Sequence, residues 1–348
     1  MRVINTVLLS YGMSGKLFHA PFLTTHPGFK LLGAWERNNR IIESECPGTR
    51  SYHSLEEAIA DPQVELVVVN TPTSTHAAYA TSALEAGKHV VVEKAFTVTT
   101  EEAVALDRLA KAFKLKLAVY QNRRWDSDFK TVQELLRQGT LGQVNEVLIS
   151  YERFNLALSP KKHREEPGPG AGNLMDLGPH CIDPAIHFFG MPDEVFADIR
   201  ICRPGSRVDD YFEILLYYPA MRVRLRSSYL VREPGPAFVL HGSNGSFVKY
   251  RGDVQEAQLK AGMKPDNPLF GIEAAATAGL LHIDIKGKVT RQTIPSEHGN
   301  YREFYDAMHR ALTEDVDVPV KGAEGINVLR IIEAAVESSR KRTSVKIQ

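Results

Sequence analysis

Three places in the chain set chemically capable residues where an apolar run stops. In "VVVEKAF" (residues 90–96) the run ends in Glu93 and Lys94. Ligands of open α/β sheets bind outside the carboxyl ends of the strands, so a charged pair at a strand end marks that edge. A lysine held there can hydrogen-bond a reacting hydroxyl or share its proton. In "SYGMSGKLF" (residues 10–18) Ser10, Gly12 and Gly15 take the three positions of the dinucleotide fingerprint, with Met13 and Ser14 between the glycines. Gly12 would let the backbone approach a pyrophosphate, and Gly15 would let a helix pack closely on the strand. The phosphates would then rest on the amides of a helix N-terminus. In "VVVNTPTSTH" (residues 67–76) Asn70, Thr71 and Pro72 follow another apolar run, and His76 enters the next segment. Taken singly, these are ordinary turn glycines and a surface lysine; together they describe one cofactor edge.

A further apolar run, "KLLGAW", leads into Glu36 about 20 residues after the glycine turn, where an acid meets the adenosine ribose hydroxyls. Arg37 follows directly. The acid disfavours a 2′-phosphate and points to NAD, whereas the arginine can bind one and keeps NADP open.

These residues need a scaffold, and the periodicity of the first 120 residues supplies it. Strand-sized apolar runs at 3–9, 30–35, 64–70, 88–92 and 116–120 alternate with segments of helical spacing at 74–87 and 99–114. Ser74 is a candidate cap for the first helix, with Gly87 as its stop. Thr99 or Thr100 caps the second, with Glu101 and Glu102 in its first turn. Runs that are apolar throughout, alternating with helices, predict a doubly wound parallel sheet. After residue 122 the rhythm changes. A polar helix at 125–139 precedes long alternating segments at 143–154, 209–218, 222–231 and 237–250. The last contains an Asn-Gly hairpin signal in "SNGS". These predict an α+β domain on a large, mostly antiparallel open sheet, closed by helices near 301–313 and 322–341. The expected division is therefore 1–122 for NAD(P) binding and 123–348 for substrate binding and oligomerisation. "REEPGPGAG" (164–172) reads as a loop.

The totals restrict the function. The 348 residues are 43% hydrophobic and 24% charged with zero formal net charge, which carries no nucleic-acid or membrane-surface signature. No apolar stretch approaches the roughly 20 residues of a membrane span. Three cysteines in so long a chain suit a reducing compartment, and the expected location is cytoplasmic. No Cys/His cluster has metal-ligand spacing, so no metal is expected.

"TPTSTH", "ALEAGKHVVVEKAF", "YQNRRWDSDF" and "NLMDLGPHCID" together resemble the glucose–fructose oxidoreductase, inositol dehydrogenase and rhizopine-catabolism (Gfo/Idh/MocA) family, and the resemblance covers nearly the whole chain. It implies that Lys94 is catalytic and that a D-x-x-x-H pair, Asp176 and His180, completes the set. His180 would exchange the proton of a substrate hydroxyl, Lys94 would stabilise the developing oxyanion, and Asp176 would orient both and bind substrate. The chemistry agrees: oxidising a secondary alcohol needs a base, and histidine is the side chain poised near neutrality. Four residues apart, Asp176 and His180 share a helix face. The resemblance also implies substrate contacts at Arg124, Trp125, Arg164 and Asp183, and cofactor contacts at Glu93 and Asn122 beside those already named.

The expected activity is hydride transfer between NAD or NADP and a secondary hydroxyl or ketone of a sugar, cyclitol or related polyol. The partners expected are that small molecule and further copies of the chain, as a dimer or tetramer formed through the C-terminal sheet. The alternative is a non-catalytic dinucleotide-sensing regulator of the same fold; the presence of Lys94, Asp176 and His180 favours the enzyme. Three departures stand out. Ser10 stands where the fingerprint has its first glycine. Pro184 falls inside an expected helix, where it removes a donor and crowds the carbonyl of His180. Ala95 stands where the family usually has proline, so the geometry of the 94–95 peptide decides where Lys94 points.

Overall fold

The structure, a computed structural model, describes residues 1–36, 40–160, 165–285 and 287–347. The chain forms two compact units. Unit 1 comprises Met1–Asn122, Gln255–Phe270 and Asn300–Ile326. Unit 2 comprises Arg123–Val254, Gly271–Gly299 and Asn327–Gln348.

Unit 1 is built on six parallel strands: β1 (Ile4–Leu8), β2 (Phe29–Trp35), β3 (Arg50–Tyr52), β4 (Leu66–Val69), β5 (His89–Glu93) and β6 (Leu117–Tyr120). Their order is β3-β2-β1-β4-β5-β6. The driving force is visible in the central strands: Leu66 to Val69 and Val90 to Val92 are fully buried. Each such side chain contributes about 1.5–3 kcal/mol, an upper figure because the unfolded chain is already partly compact. The strand order reverses between β1 and β4, the position where an open sheet leaves a crevice at its carboxyl edge.

Two details differ from the sequence reading. β3 was not expected; three residues of mixed polarity carry no usable period. The helix at 74–87 is His76–Glu85, entered through a tight turn at Thr73–Thr75, so Thr75 rather than Ser74 stands at its cap. Gly87, with a φ of +75°, is the stop of that helix, and the next helix, Thr100–Ala112, is capped by Thr99 in a reciprocal box with Glu102.

Unit 2 carries nine strands. These are β7 (Val144–Glu152), β8 (Glu194–Arg200), β9 (Tyr211–Tyr217), β10 (Arg222–Ser228), β11 (Phe238–Gly242), β12 (Gly245–Lys249), β13 (Gly279–Ile285), β14 (Lys288–Ile294) and β15 (Val345–Lys346). Their order is β14-β13-β12-β11-β7-β10-β9-β8-β15, and only β7 and β10 run parallel. Ser243 and Asn244 turn the β11–β12 hairpin. Alternation gives the sheet two faces. Val223, Leu225, Phe212, Ile214 and Leu216 are buried on one, while Arg222, Arg224 and Leu215 reach outward on the other.

The helix Asn173–Phe189 packs on the inner face against β7, β9 and β10 and continues through both Pro179 and Pro184. Its start is set from a distance. Asp209 receives the Leu174 amide on its carboxylate (2.6 Å) and the Asn173 amide on its main-chain oxygen (2.8 Å). Gly172 is required there: φ is +92°, and a Cβ would come within 1.9 Å of Asp209 Oδ1. Among the described residues, no helix is long and apolar enough to cross a membrane.

Candidate active site

In unit 1 the carboxyl ends of β1, β4 and β5 bring the predicted cofactor residues to one edge. The turn after β1 is drawn tight by its own atoms. Ser10 Oγ accepts from the Gly12 amide (3.2 Å), Asn70 Nδ2 donates to Ser10 O (2.8 Å), and the Lys16 amide donates to Gly12 O (2.9 Å). A Cβ on Gly15 would stand 2.4 Å from Ser10 O, so the third glycine is fixed by helix–strand contact. Gly12 differs. A Cβ there would meet only Ser10 Oγ, at 3.5 Å, and φ lies outside the left-handed region. Among the described residues nothing demands this glycine; the room it leaves suits a group docking on the turn, as a pyrophosphate would. Ser10, in place of the first glycine, supplies a bond that a glycine lacks. Met13 projects into solvent.

Glu93 ends β5 and is a hub. Oε1 accepts from Ser14 Oγ and lies 3.0 Å from His19 Nε2, while Oε2 accepts from the Lys94 amide (3.1 Å). His19 Nδ1 lies 2.6 Å from the Tyr305 hydroxyl. Burial pushes the Glu93 carboxyl up, but His19, Ser14 and the Lys94 charge outweigh it and hold the group below the usual carboxylate range. Glu93 therefore stays ionised and ties the dinucleotide turn, through Ser14, to the turn that carries Lys94. The Lys94–Ala95 peptide is cis. His19 and Tyr305 were not anticipated. They lie 286 positions apart, and no local spacing links them.

Other predicted cofactor residues are committed to the protein. The Glu36 carboxylate accepts from the amides of Ile41 (3.3 Å) and Ile42 (3.1 Å) and from Ser51 Oγ (3.1 Å). Thr71 Oγ1 lies 2.7 Å from Thr75 Oγ1, and Pro72 O accepts from Thr75. His76 is buried, with both ring nitrogens against main-chain oxygens. Asn122 opens the short Asn122–Trp125 turn. Arg37 and Arg164 lie outside the described residues.

In unit 2, Asp176 and His180 occupy one face of the helix Asn173–Phe189. Asp176 Oδ2 lies 3.5 Å from both Arg153 Nη2 and the Tyr229 hydroxyl, and Arg153 donates to that hydroxyl at 2.9 Å. At 3.5 Å these two carboxylate contacts are loose. His180, 8% exposed, lies near-parallel to Tyr151 at 6.0 Å between ring centroids. The guanidinium of Arg251 sits 4.1 Å from the Tyr151 centroid and donates to Ser150 O (3.1 Å). Tyr151, Arg153 and Tyr229 were missed because aromatic and basic residues in alternating strands look like routine sheet positions. Arg124 and Asp183 pair with each other: Nε to Oδ2 is 2.8 Å and Nη2 to Oδ1 is 2.7 Å, with both side chains buried. Trp125 lies half-buried in the preceding turn.

Known proteins share both units. The family model described as "Oxidoreductase family, NAD-binding Rossmann fold" matches residues 4–121, and "Oxidoreductase family, C-terminal alpha/beta domain" matches residues 133–347. The chain is 37% identical over 351 residues to scyllo-inositol 2-dehydrogenase (NADP(+)) IolW of Bacillus subtilis, covering 100% of this chain and 98% of that one. It superposes on the yvaA oxidoreductase structure of Bacillus subtilis with a TM-score of 0.97 and 36% identity, covering 100% and 99% of the two chains. An oxidoreductase structure from Bacteroides fragilis gives a TM-score of 0.90 at 43% identity, covering 99% and 100%.

Proposed function

Since the chain belongs to the Gfo/Idh/MocA family of NAD(P)-binding oxidoreductases, we propose that it interconverts a secondary hydroxyl and a ketone on a sugar, cyclitol or related polyol. The observation that carries this reading is the Glu93 link, which holds the Lys94 turn and the dinucleotide turn to one sheet edge. The space at Gly12 fits a nicotinamide dinucleotide. When bound, that cofactor supplies the acceptor or donor of hydride.

The chain's own groups handle the proton and the charge. His180 takes the hydroxyl proton during oxidation and returns it during reduction. Lys94 donates a hydrogen bond to the oxygen as negative charge grows on it, an interaction stronger in the transition state than in the ground state. Asp176 accepts from a substrate hydroxyl and fixes its orientation. Arg124 and Asp183 support the helix under His180 rather than touching substrate. A cyclitol substrate draws support from the Bacillus subtilis relative, a scyllo-inositol 2-dehydrogenase.

NADP is the cofactor this reading favours. Glu36, the acid that would face the ribose of NAD, already accepts from three donors. The relative's name, which specifies NADP(+), points the same way.

The open face of the unit 2 sheet is proposed as the self-association surface. Phe196, Leu215, Arg224, Leu148, Val239 and Val248 pair in one row across six neighbouring strands. All are half-buried or exposed and all but Arg224 are apolar, the profile of a row left for a second copy to cover.

The test is a spectrophotometric screen of NADP and NAD reduction against inositol isomers and aldoses, with Lys94→Ala and His180→Ala as controls. Each variant should fold and lose about 10²–10⁴-fold in kcat/KM. Undiminished turnover in both variants would sink the mechanism. Tight cofactor binding with no turnover of any polyol would sink the function.

A further inference from the structure

His76 is 1% exposed, and its ring meets three oxygens, all main-chain carbonyls. Nδ1 lies 2.9 Å from Ala95 O and 3.2 Å from Phe96 O, and Nε2 lies 2.9 Å from Thr71 O. A carbonyl only accepts, and neutral imidazole has a single N–H. In either neutral tautomer, one nitrogen lone pair would face a carbonyl oxygen at hydrogen-bond distance inside a buried site, a contact that repels. Turning the ring over would put Cδ2 and Cε1 at those oxygens and forfeit both strong contacts. Only the doubly protonated ring satisfies the two sides at once.

The charges around the ring decide whether this form is tolerable. Burial is the largest influence and draws His76 below its ordinary pKa. The start of the helix His76–Glu85, with the positive end of its dipole, acts in the same sense. Against them stand the carbonyls from the turns after β4 and β5, and the Glu93 carboxylate at the end of β5. Glu93 is held ionised with His19 on one side and Lys94 next to it. Charge-assisted bonds on both ring nitrogens, with a fixed anion nearby, oppose that cost.

We infer that His76 is a positioning residue: a doubly protonated ring that clamps the turn carrying Lys94 to the turn carrying Thr71 and Pro72. It touches neither substrate nor cofactor and acts through the two main-chain segments it joins. The inference rests on the reading of Lys94 as the catalytic lysine.

Two measurements test it. In a long-range ¹H–¹⁵N spectrum of the full chain, assigned through the backbone, both His76 ring nitrogens should carry protons at neutral pH, where an ordinary histidine is mostly neutral. A bare ring nitrogen at neutral pH overturns the inference. In the second, H76Q can bridge the two turns only weakly and should lower kcat by about tenfold or more, with the polyol KM held within about threefold. An unchanged kcat, or a loss confined to KM, overturns the positioning role. The spectrum needs neither the variant nor a substrate, so it decides the matter if H76Q does not fold, and it stands apart from any failure of the polyol reading.

Discussion

Asp183→Asn separates a structural role from substrate recognition. The Asp183 and Arg124 side chains are 4% and 7% exposed and joined by two hydrogen bonds of 2.7 and 2.8 Å. Asparagine keeps the shape but removes the negative charge that faces the buried guanidinium. Breaking such a pair costs about 3–5 kcal/mol. Asparagine still offers one acceptor, so the lower end, about 3 kcal/mol, is expected. For a unit of 150–250 residues each kcal/mol moves Tm by roughly 2–4 °C, giving a fall of about 6–12 °C. Urea and thermal unfolding followed by circular dichroism measure it. The double variant Arg124→Met with Asp183→Leu closes the cycle and should recover much of the loss, because an apolar pair leaves no buried charge behind. A D183N protein as stable as its parent to within about 1 kcal/mol, but with a raised polyol KM, would refute the reasoning and make Asp183 a substrate contact.

Two further outcomes follow from the geometry. Burial, the largest cause, raises the Asp209 carboxyl to about 6, against the pull of the Leu174 and Asn173 amides. Its folded pKa lies above the unfolded value, so the stability it contributes is full below about pH 4 and is lost as pH rises through about 6. Relative to D209N, the parent should therefore lose stability between pH 4 and 7, by up to about 3 kcal/mol; chemical denaturation at each pH reads this, and parallel curves would refute it. On the outer sheet face, Leu215→Arg should shift light-scattering mass toward the monomer while far-UV circular dichroism stays unchanged. An unaltered assembly would remove that face from the interface.

What the sequence by itself determined is what local spacing controls. Val90 to Val92, apolar on both faces, could only be a doubly covered strand, so Lys94 had to emerge at its end. The spacing of Gly12 and Gly15 defined the turn, and the four-residue step from Asp176 to His180 placed them on one face wherever a helix formed. Tertiary structure decided everything that depends on a distant partner. Glu36 reads as a ribose ligand, and only the fold shows that it also accepts from Ser51 and the amides of Ile41 and Ile42. Arg124 and Asp183 lie 59 positions apart, and only folding shows that they pair. Residues Gln255–Phe270 and Asn300–Ile326 pack with the first 122 residues, which brings Tyr305 to His19 and so to Glu93. The physical reason is common to these cases. Burial leaves each charged or polar side chain in need of a partner, and which partner it finds is fixed by the path of the chain in space rather than by spacing along it.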